Sequence, residues 1–267
     1  MKHTIRSVWT RGLGKARRLR GHCTIFFDAT HAEALQAGAG DTKFGALFFA
    51  HEGRSIYKWT DYLTAYDEQL ERFRPGFPLE GGGHRPLRLL ELGVLHGGSL
   101  QLWRSYFGPD AAIWGIDINP LCAAVDDPDL EVRIGSQADP EFLEGVVAEM
   151  GGVDLVIDDG SHVAKHQRAS FELLFPLLTD GGLYVVEDTQ TSFWWDYGGG
   201  YRRRGSFLAL TKDLIDDMHS HYHGHRQKSP VHADRWVPKL TIYDGMVVIQ
   251  KKARARPMVV RFGQESY

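Results

Sequence analysis

The sequence predicts an α/β fold: a mostly parallel seven-stranded sheet with helices on both faces and a C-terminal antiparallel hairpin. Three observations carry that reading. Between Leu87 and Val186, short apolar runs alternate with segments of helical period. Acidic residues close most of those apolar runs. Near the C-terminus, two further apolar runs flank Asp244-Gly245, a two-residue turn signal that joins antiparallel strands.

Taken in chain order, residues 1–54 read as a basic arm followed by an irregular, Gly/Ala-rich lid region, and residues 55–267 as one domain. Ile56, Trp59, Tyr62, Leu63, Tyr66 and Leu70 recur at helical spacing, predicting a helix over Ser55–Arg74 that Pro75-Gly76 stops. Leu87–Leu92 is the first strand, and Gly98–Phe107 the helix after it, closed by Gly108-Pro109. Ala112–Ile118 and Leu130–Ile134 are the second and third strands. Asp139-Pro140 is an N-cap with proline at the first helical position, opening a helix that runs to about Met150. Val153–Ile157 is the fourth strand, Gln167–Leu178 a helix ended by Asp180-Gly181-Gly182, and Leu183–Val186 the fifth strand. An aromatic, glycine-rich loop spans Thr191 to Gly205, a helix follows from Phe207 to His219, and Lys239–Ile242 with Met246–Gln250 form the hairpin.

The composition removes several classes of function. With 267 residues, 31 Lys+Arg against 34 Asp+Glu and a net charge of -3, the chain lacks the basic excess of a general nucleic-acid binder. No apolar run approaches the roughly 18 residues that span a bilayer. Two cysteines, Cys23 and Cys122, exclude a disulfide scaffold and a Cys-rich zinc site, so a reduced, cytoplasmic setting is expected. The first twenty residues carry Lys2, Arg6, Arg11, Lys15, Arg17, Arg18 and Arg20 without an acid and lack the apolar core of a secretory signal. They read as a solvated basic arm, with contact to a partner or an acidic substrate as the alternative.

In an open parallel sheet, ligands bind beyond the carboxyl ends of the strands. Glu91, Asp117, Asp158-Asp159 and Glu187-Asp188 close the first, second, fourth and fifth strands, while after the third the acid Asp139 comes five positions beyond Ile134. Gathering acids along one rim is costly, so this concentration is the most informative feature of the sequence. The first loop, Glu91-Leu92-Gly93-Val94-Leu95-His96-Gly97-Gly98-Ser99, places glycines for a tight turn and a close backbone approach. It is not the G-x-G-x-x-G of dinucleotide enzymes. It fits the acidic-x-G-x-G-x-G loop of S-adenosylmethionine (SAM) methyltransferases, with Leu95 where the middle glycine usually stands. An ordinary strand-to-helix turn is the plainer reading. Asp117, ending the second strand, is placed to accept both ribose hydroxyls; its plainer reading is a helix N-cap.

Asp158-Asp159-Gly160-Ser161-His162 and Glu187-Asp188 form a second constellation. Carboxylates from adjacent strand ends are the hard ligands that Mg²⁺ selects. His162, three residues after Asp159, suits general-base work, against the alternative of a hydrogen-bonded structural histidine. Other features carry less. His219, His221, His223 and His225 read as a solvated connector rather than a metal site. Phe193-Trp194-Trp195 with Tyr197, ahead of Gly198-Gly199-Gly200, favours an acceptor-stacking lid over core. Arg202-Arg203-Arg204 reads as a solvated face, with an anionic acceptor as the minority reading.

From about Ile56 to Lys251 the chain resembles the metal-dependent SAM O-methyltransferases of sugar tailoring, including the mycinamicin and tylosin sugar methyltransferases, and is similar to those that methylate polysaccharide mannosides. The matching stretches are Tyr57-Lys58-Trp59 with Tyr62 and Tyr66-Asp67, Leu90-Glu91-Leu92-Gly93 through Gly97-Gly98-Ser99-Leu100, and Gly115-Ile116-Asp117-Ile118-Asn119-Pro120. Further matches are Gly135-Ser136-Gln137 with Asp139-Pro140, Val156 to His162, Val185-Val186-Glu187-Asp188-Thr189 and Thr191-Ser192-Phe193-Trp194. The resemblance implies a Rossmann-like class I methyltransferase fold, with Mg²⁺ on Asp159, Glu187 and Asp188 and His162 as proton acceptor. It implies SAM held by Tyr62, Glu91, Gly93, Ser99, Asp117, Ser136, Gln137 and Asp158. Two stretches depart from the pattern: Leu95 replaces a small residue, and the usual upstream Asp-Lys signature appears only as Asp41-Thr42-Lys43.

The expected activity is SAM- and Mg²⁺-dependent methylation of a sugar hydroxyl, on a small-molecule or oligosaccharide acceptor, with no nucleic-acid or membrane partner and with homo-oligomerisation left open. Rival readings are a catechol-type methyltransferase and a catalytically silent SAM- or nucleotide-binding module, against which the intact acids and His162 argue. A nicotinamide dehydrogenase is weakened by the missing G-x-G-x-x-G.

Overall fold

The computed structural model describes residue 38 and residues 40–125, 127–225 and 229–264; the basic arm of residues 1–20 and Cys23 lie outside the described residues. One sheet contains β1 (Arg88–Leu92), β2 (Ala112–Asp117), β3 (Leu130–Ile134), β4 (Val153–Asp158), β5 (Leu178–Val186), β6 (Lys239–Tyr243) and β7 (Met246–Gln250). Their spatial order is β3-β2-β1-β4-β5-β7-β6, with β7 antiparallel to both neighbours and every other pair parallel. This is the seven-stranded, mostly parallel sheet with a C-terminal antiparallel hairpin that the sequence predicts.

Strand periodicity sorts the core into two layers. Leu89, Leu155, Ile157, Leu183, Val185 and Val248 point to one face; their chain neighbours Leu90, Val156, Tyr184, Val186, Val247 and Ile249 point to the other. The first face is covered by α1 (Lys43–Phe49), α2 (Thr60–Leu70) and α3 (Gly98–Phe107), which contribute Phe44, Tyr62, Tyr66 and Trp103. The second is covered by α4 (Pro140–Glu149), α5 (Ala164–Leu174) and α6 (Phe207–Met218), which contribute Leu143, Phe171, Leu210 and Leu214. Burial on both faces explains why the strands read as continuous apolar runs rather than alternating ones.

The chain reverses its winding direction at β1, so the carboxyl ends of β1 and β4 are adjacent and open a crevice there. The two loops meet closely: a Cβ on Gly93, where φ is +95°, would collide with the Asp159 carbonyl oxygen. Only glycine fits this contact.

Three elements differ from expectation. Residues 43–49 form α1 rather than an irregular region. Thr42 caps it by accepting from the Gly45 N–H, the Asp67 carboxylate accepts from the Lys43 and Phe44 N–H groups, and Phe44 sits between Tyr66 and Trp103 with ring centroids 4.9 Å away in each case. Asp41-Thr42-Lys43 therefore acts here as a helix start. α2 begins at Thr60, not Ser55, because residues 55–59 run extended and carry Lys58 and Trp59 to the strand ends. α5 ends at Leu174 in a 3₁₀ turn over Phe175–Leu177 containing Pro176, and β5 starts at Leu178, with its register to β4 shifting between Val153 and Leu155.

Among the described residues, no helix is long and apolar enough to cross a membrane.

Candidate active site

Five acids converge at the carboxyl ends of β1, β4 and β5, and they divide into two groups by strand alternation. Asp158 and Asp159 are consecutive, so their side chains part. Asp158 is fully buried and accepts from Ser170 Oγ at 2.6 Å, Tyr184 OH at 3.0 Å and Gln137 Nε2 at 3.1 Å; burial raises its pKa, and the Ser170 and Tyr184 hydroxyls oppose the rise. Asp159 emerges beside Asp188. Their free oxygens face a single imidazole nitrogen: His162 Nε2 lies 3.8 Å from Asp159 Oδ1 and 3.7 Å from Asp188 Oδ2. One ligand atom from each of these three residues falls within 4.8 Å of the others, a spacing that a divalent ion can bridge.

The backbone reaches this arrangement under strain. Leu95, His162, Asp188, Arg202 and His232 are the described non-glycine residues with positive φ, and the first three stand at the loops after β1, β4 and β5. His and Asp enter the left-handed region more readily than most residues, whereas Leu95, at φ +49°, occupies the slot where the related loop pattern has glycine.

The opposite oxygen of each acid is held by residues 58–66. Lys58 Nζ lies 2.6 Å from both Asp159 Oδ2 and Glu187 Oε1. Tyr66 donates its hydroxyl to the same Glu187 oxygen. Trp59 Nε1 and Gln190 Nε2 donate to Asp188 Oδ1 at 2.9 and 3.0 Å. The Tyr62 hydroxyl lies 3.0 Å from that oxygen and 2.8 Å from the Gly245 carbonyl of the β6–β7 turn. Burial, reinforced by Asp188 at Tyr62 and by Glu187 at Tyr66, pushes both phenols far above their ordinary range and keeps them as donors. Burial and the charge of Asp159 likewise push Glu187 up, against the pull of Lys58.

Asp159 and Asp188 come together as expected, but the third member of the metal-capable group among the described residues is His162; the expected ligand Glu187 instead has Oε1 held by Lys58 and Tyr66. Tyr62 takes a different place from the expected one: its hydroxyl is committed to Asp188 and the hairpin, because Tyr62 and Tyr66 occupy one face of α2 and turn inward together. Glu91 is also turned inward, accepting from Ser99 Oγ at 2.6 Å and Trp103 Nε1 at 3.0 Å, and burial pushes its pKa up to about 7. Glu91, Ser99 and Asp158 therefore brace the crevice from below. Gly93, Asp117, Ser136 and Gln137 line its rim. Asp117 Oδ2 accepts from the Val94 and Leu95 N–H groups at 2.9 and 3.1 Å, which fills both its lone pairs, and Oδ1 from Asn119 N–H at 2.8 Å, which leaves that oxygen a lone pair for a ribose hydroxyl. Gln137 ties the rim to the acid loop by accepting from Ser161 N–H at 2.7 Å.

Beside the acids, Thr191 Oγ1 bridges the His162 and Asp188 carbonyls at 3.1 and 2.7 Å, anchoring the start of the aromatic loop. Phe193 and Trp195 beyond it are exposed at 49% and 62%, as expected of a stacking surface rather than core. The His219–His225 stretch is exposed or half-buried, with His219 Nδ1 and His223 Nε2 on the carbonyls of Ile215 and Asp216, and contributes to no metal-capable group among the described residues.

Residues 90–189, which span β1 to the end of β5, match the family profile described as a methyltransferase domain. Over 220 residues, 78% of this chain and 53% of the relative, the sequence is 36% identical to the 8-demethyl-8-(2-methoxy-alpha-L-rhamnosyl)-tetracenomycin-C 3'-O-methyltransferase of Streptomyces olivaceus. It is 33% identical over 235 residues to the mycinamicin VI 2''-O-methyltransferase of Micromonospora griseorubida, covering 82% and 55% of the two chains. The chain carries a methyltransferase domain similar to those of these relatives. The methyltransferase fold is confirmed by the structure of MycE, from the mycinamycin biosynthetic pathway, in complex with Mg and SAH: the TM-score is 0.68 at 32% identity, over 79% of this chain and 54% of that one. The chain thus spans about half the length of the relatives it matches.

Proposed function

We propose that this methyltransferase domain transfers a methyl group from SAM to a hydroxyl of a sugar, with Mg²⁺ at the acid cluster. The observation that carries the reading is the placement of His162 Nε2 within 4 Å of two carboxylate oxygens, Asp159 Oδ1 and Asp188 Oδ2, at the carboxyl edge of a class I methyltransferase sheet. The acids suit the metal: each is hard, and Asp159 and Asp188 have one oxygen fixed by protein donors and the other turned to the cluster. The named relatives modify rhamnosyl groups and mycinamicin, and the MycE complexes contain Mg and SAH, which supports sugar over catechol as the acceptor class.

In this reading SAM supplies an electrophilic methyl group and Mg²⁺ the positive charge that acidifies the acceptor hydroxyl. Asp159, Glu187 and Asp188 would hold the metal, and the Lys58, Trp59 and Tyr62 contacts keep the acids from rotating. Asp117, Gly93, Ser136 and Gln137 bind the cofactor at the rim. His162 Nε2 takes the hydroxyl proton. The exposed rings of Phe193 and Trp195 stack on the sugar and limit water.

The test is a methyl-transfer assay with labelled SAM, comparing deoxysugar glycosides with catechols, in Mg²⁺ and in excess EDTA. Transfer to glycosides that EDTA abolishes and Mg²⁺ restores is expected. Undiminished turnover in EDTA, or transfer to catechols alone, overturns the assignment.

A further inference from the structure

Lys58 enters the scheme above only as a contact that keeps the acids from rotating, yet its side chain is the most deeply buried cation among the described ion pairs. Its side chain is 1% exposed, and its ammonium sits 2.6 Å from carboxylates that lie 101 and 129 residues further along the chain. The same ammonium is 5.9 Å from the centre of the Tyr66 ring, and that tyrosine donates to the Glu187 oxygen which Lys58 holds. Burial of a lone ammonium is expensive and lowers its pKa. Here two carboxylates at 2.6 Å, one on each side, compensate the burial.

We propose that Lys58 sets the charge and the geometry of the acid cluster: it cancels one of the three carboxylate charges and fixes the inner oxygens of Asp159 and Glu187, leaving net charge -2 for a single divalent ion. The inference rests on the metal reading given above. Asp159, Glu187 and Asp188, ionised as ligands must be, carry -3, and Lys58 reduces this to -2. A divalent ion then brings the cluster to neutrality. A trivalent ion leaves a buried positive charge, which the low-dielectric surroundings penalise. Lys58 is in this sense a positioning residue with a second effect, the choice of ion by charge. Because the ammonium bridges the inner oxygens, it also keeps the two acids from repelling one another before the metal arrives.

The test uses calorimetric titration of the SAM-free protein with Mg²⁺ alone and Tb³⁺ alone, together with melting in EDTA. Three proteins are compared: wild type, Lys58→Met, and the double variant Lys58→Met with Glu187→Gln. Methionine keeps the length of the stem without the charge. The double variant removes one positive and one negative charge and restores net -2, while the new amide oxygen still accepts from Tyr66.

Lys58→Met should melt lower in EDTA and raise the ratio of Tb³⁺ to Mg²⁺ affinity at least tenfold, since the lost positive charge acts more strongly on the more highly charged ion. The double variant should recover most of the melting temperature and return the ratio to within about threefold of wild type. A ratio unchanged in Lys58→Met, or a double variant no different from the single one, overturns the charge rule, since packing alone predicts both. If Lys58→Met does not fold, the double variant decides: folding supports the rule and failure to fold overturns it. Wild type that binds no Mg²⁺ overturns the metal reading and this inference together. Wild type that binds Mg²⁺, with a ratio insensitive to Lys58, overturns the inference alone.

Discussion

His162 and Asp188 face each other at 3.7 Å, Nε2 to Oδ2, and both hold left-handed backbone, at φ +55° and +52°. Each residue ends a separate strand connection, so the separation depends on two strained turns at once.

Exchanging the imidazole while respecting that backbone gives the first prediction. Asparagine tolerates positive φ, so His162→Asn should keep the melting temperature within a degree or two of wild type. As the variant lacks the proton acceptor, kcat should fall by about 10²–10⁴ with little change in SAM affinity. Steady-state kinetics at saturating SAM beside calorimetry would check both. A fall in kcat of less than about tenfold assigns proton removal to another group.

The rim acid gives the second. Asp117 accepts from three backbone N–H groups, two of them in the first loop. Asp117→Asn retains one acceptor oxygen but loses the charge, and should weaken binding of demethylated SAM by about 1–3 kcal/mol. Unchanged affinity in a calorimetric titration removes Asp117 from the cofactor site.

Glu91 gives a pH dependence whose sign is fixed. Burial holds this carboxyl at about 7 in the folded protein, above the ordinary 4.5. The folded state therefore keeps a proton that the unfolded chain releases, and unfolding becomes easier as pH rises from about 4.5 to about 7. Glu91→Gln carries no charge and escapes this loss, so its stability relative to wild type should improve across that window, by up to about 3 kcal/mol at pH 8. Denaturant melts at intervals from pH 4.5 to 8 would show it; parallel curves for the two proteins contradict the assignment.

Much of this architecture is legible in the sequence because it is local. The fourth and fifth strands announce themselves as apolar runs closed by acids, the Asp244-Gly245 turn fixes the hairpin, and Asp139-Pro140 marks a helix start that the structure keeps. What stays hidden is whatever depends on distant pairing. α1 is only seven residues long, too short to show a period, and it exists because Asp67 accepts from its first N–H groups and Phe44 finds a slot in the core. Lys58 looks like any surface lysine until the fold brings it to acids more than a hundred residues away. Tyr62 carries the right helical spacing, yet spacing does not say which acid its hydroxyl meets.

That slot supplies the fourth prediction. Phe44 is 0% exposed and packs on Tyr66, Trp103 and Tyr106. Phe44→Ala should cost about 3–5 kcal/mol, as for other buried rings, and should loosen Trp103, the partner of Glu91. Urea titration would measure it. A cost below about 1 kcal/mol shows that α1 is an appendage.

The Thr191 hydroxyl that ties the His162 and Asp188 carbonyls also divides the aromatic loop into halves of unequal freedom. Its near half cannot shift without disturbing both strained turns, and the Gly199 and Gly200 N–H groups bond back to the Trp194 and Ser192 carbonyls, so the freer, far half is the exposed Tyr201–Arg204 stretch. If the loop binds the acceptor as proposed, substitutions in the far half could reshape acceptor preference while the His162–Asp188 geometry stays fixed. Under the proposed function, the fold would thereby separate what is recognised from how it reacts, and leave the first free to drift.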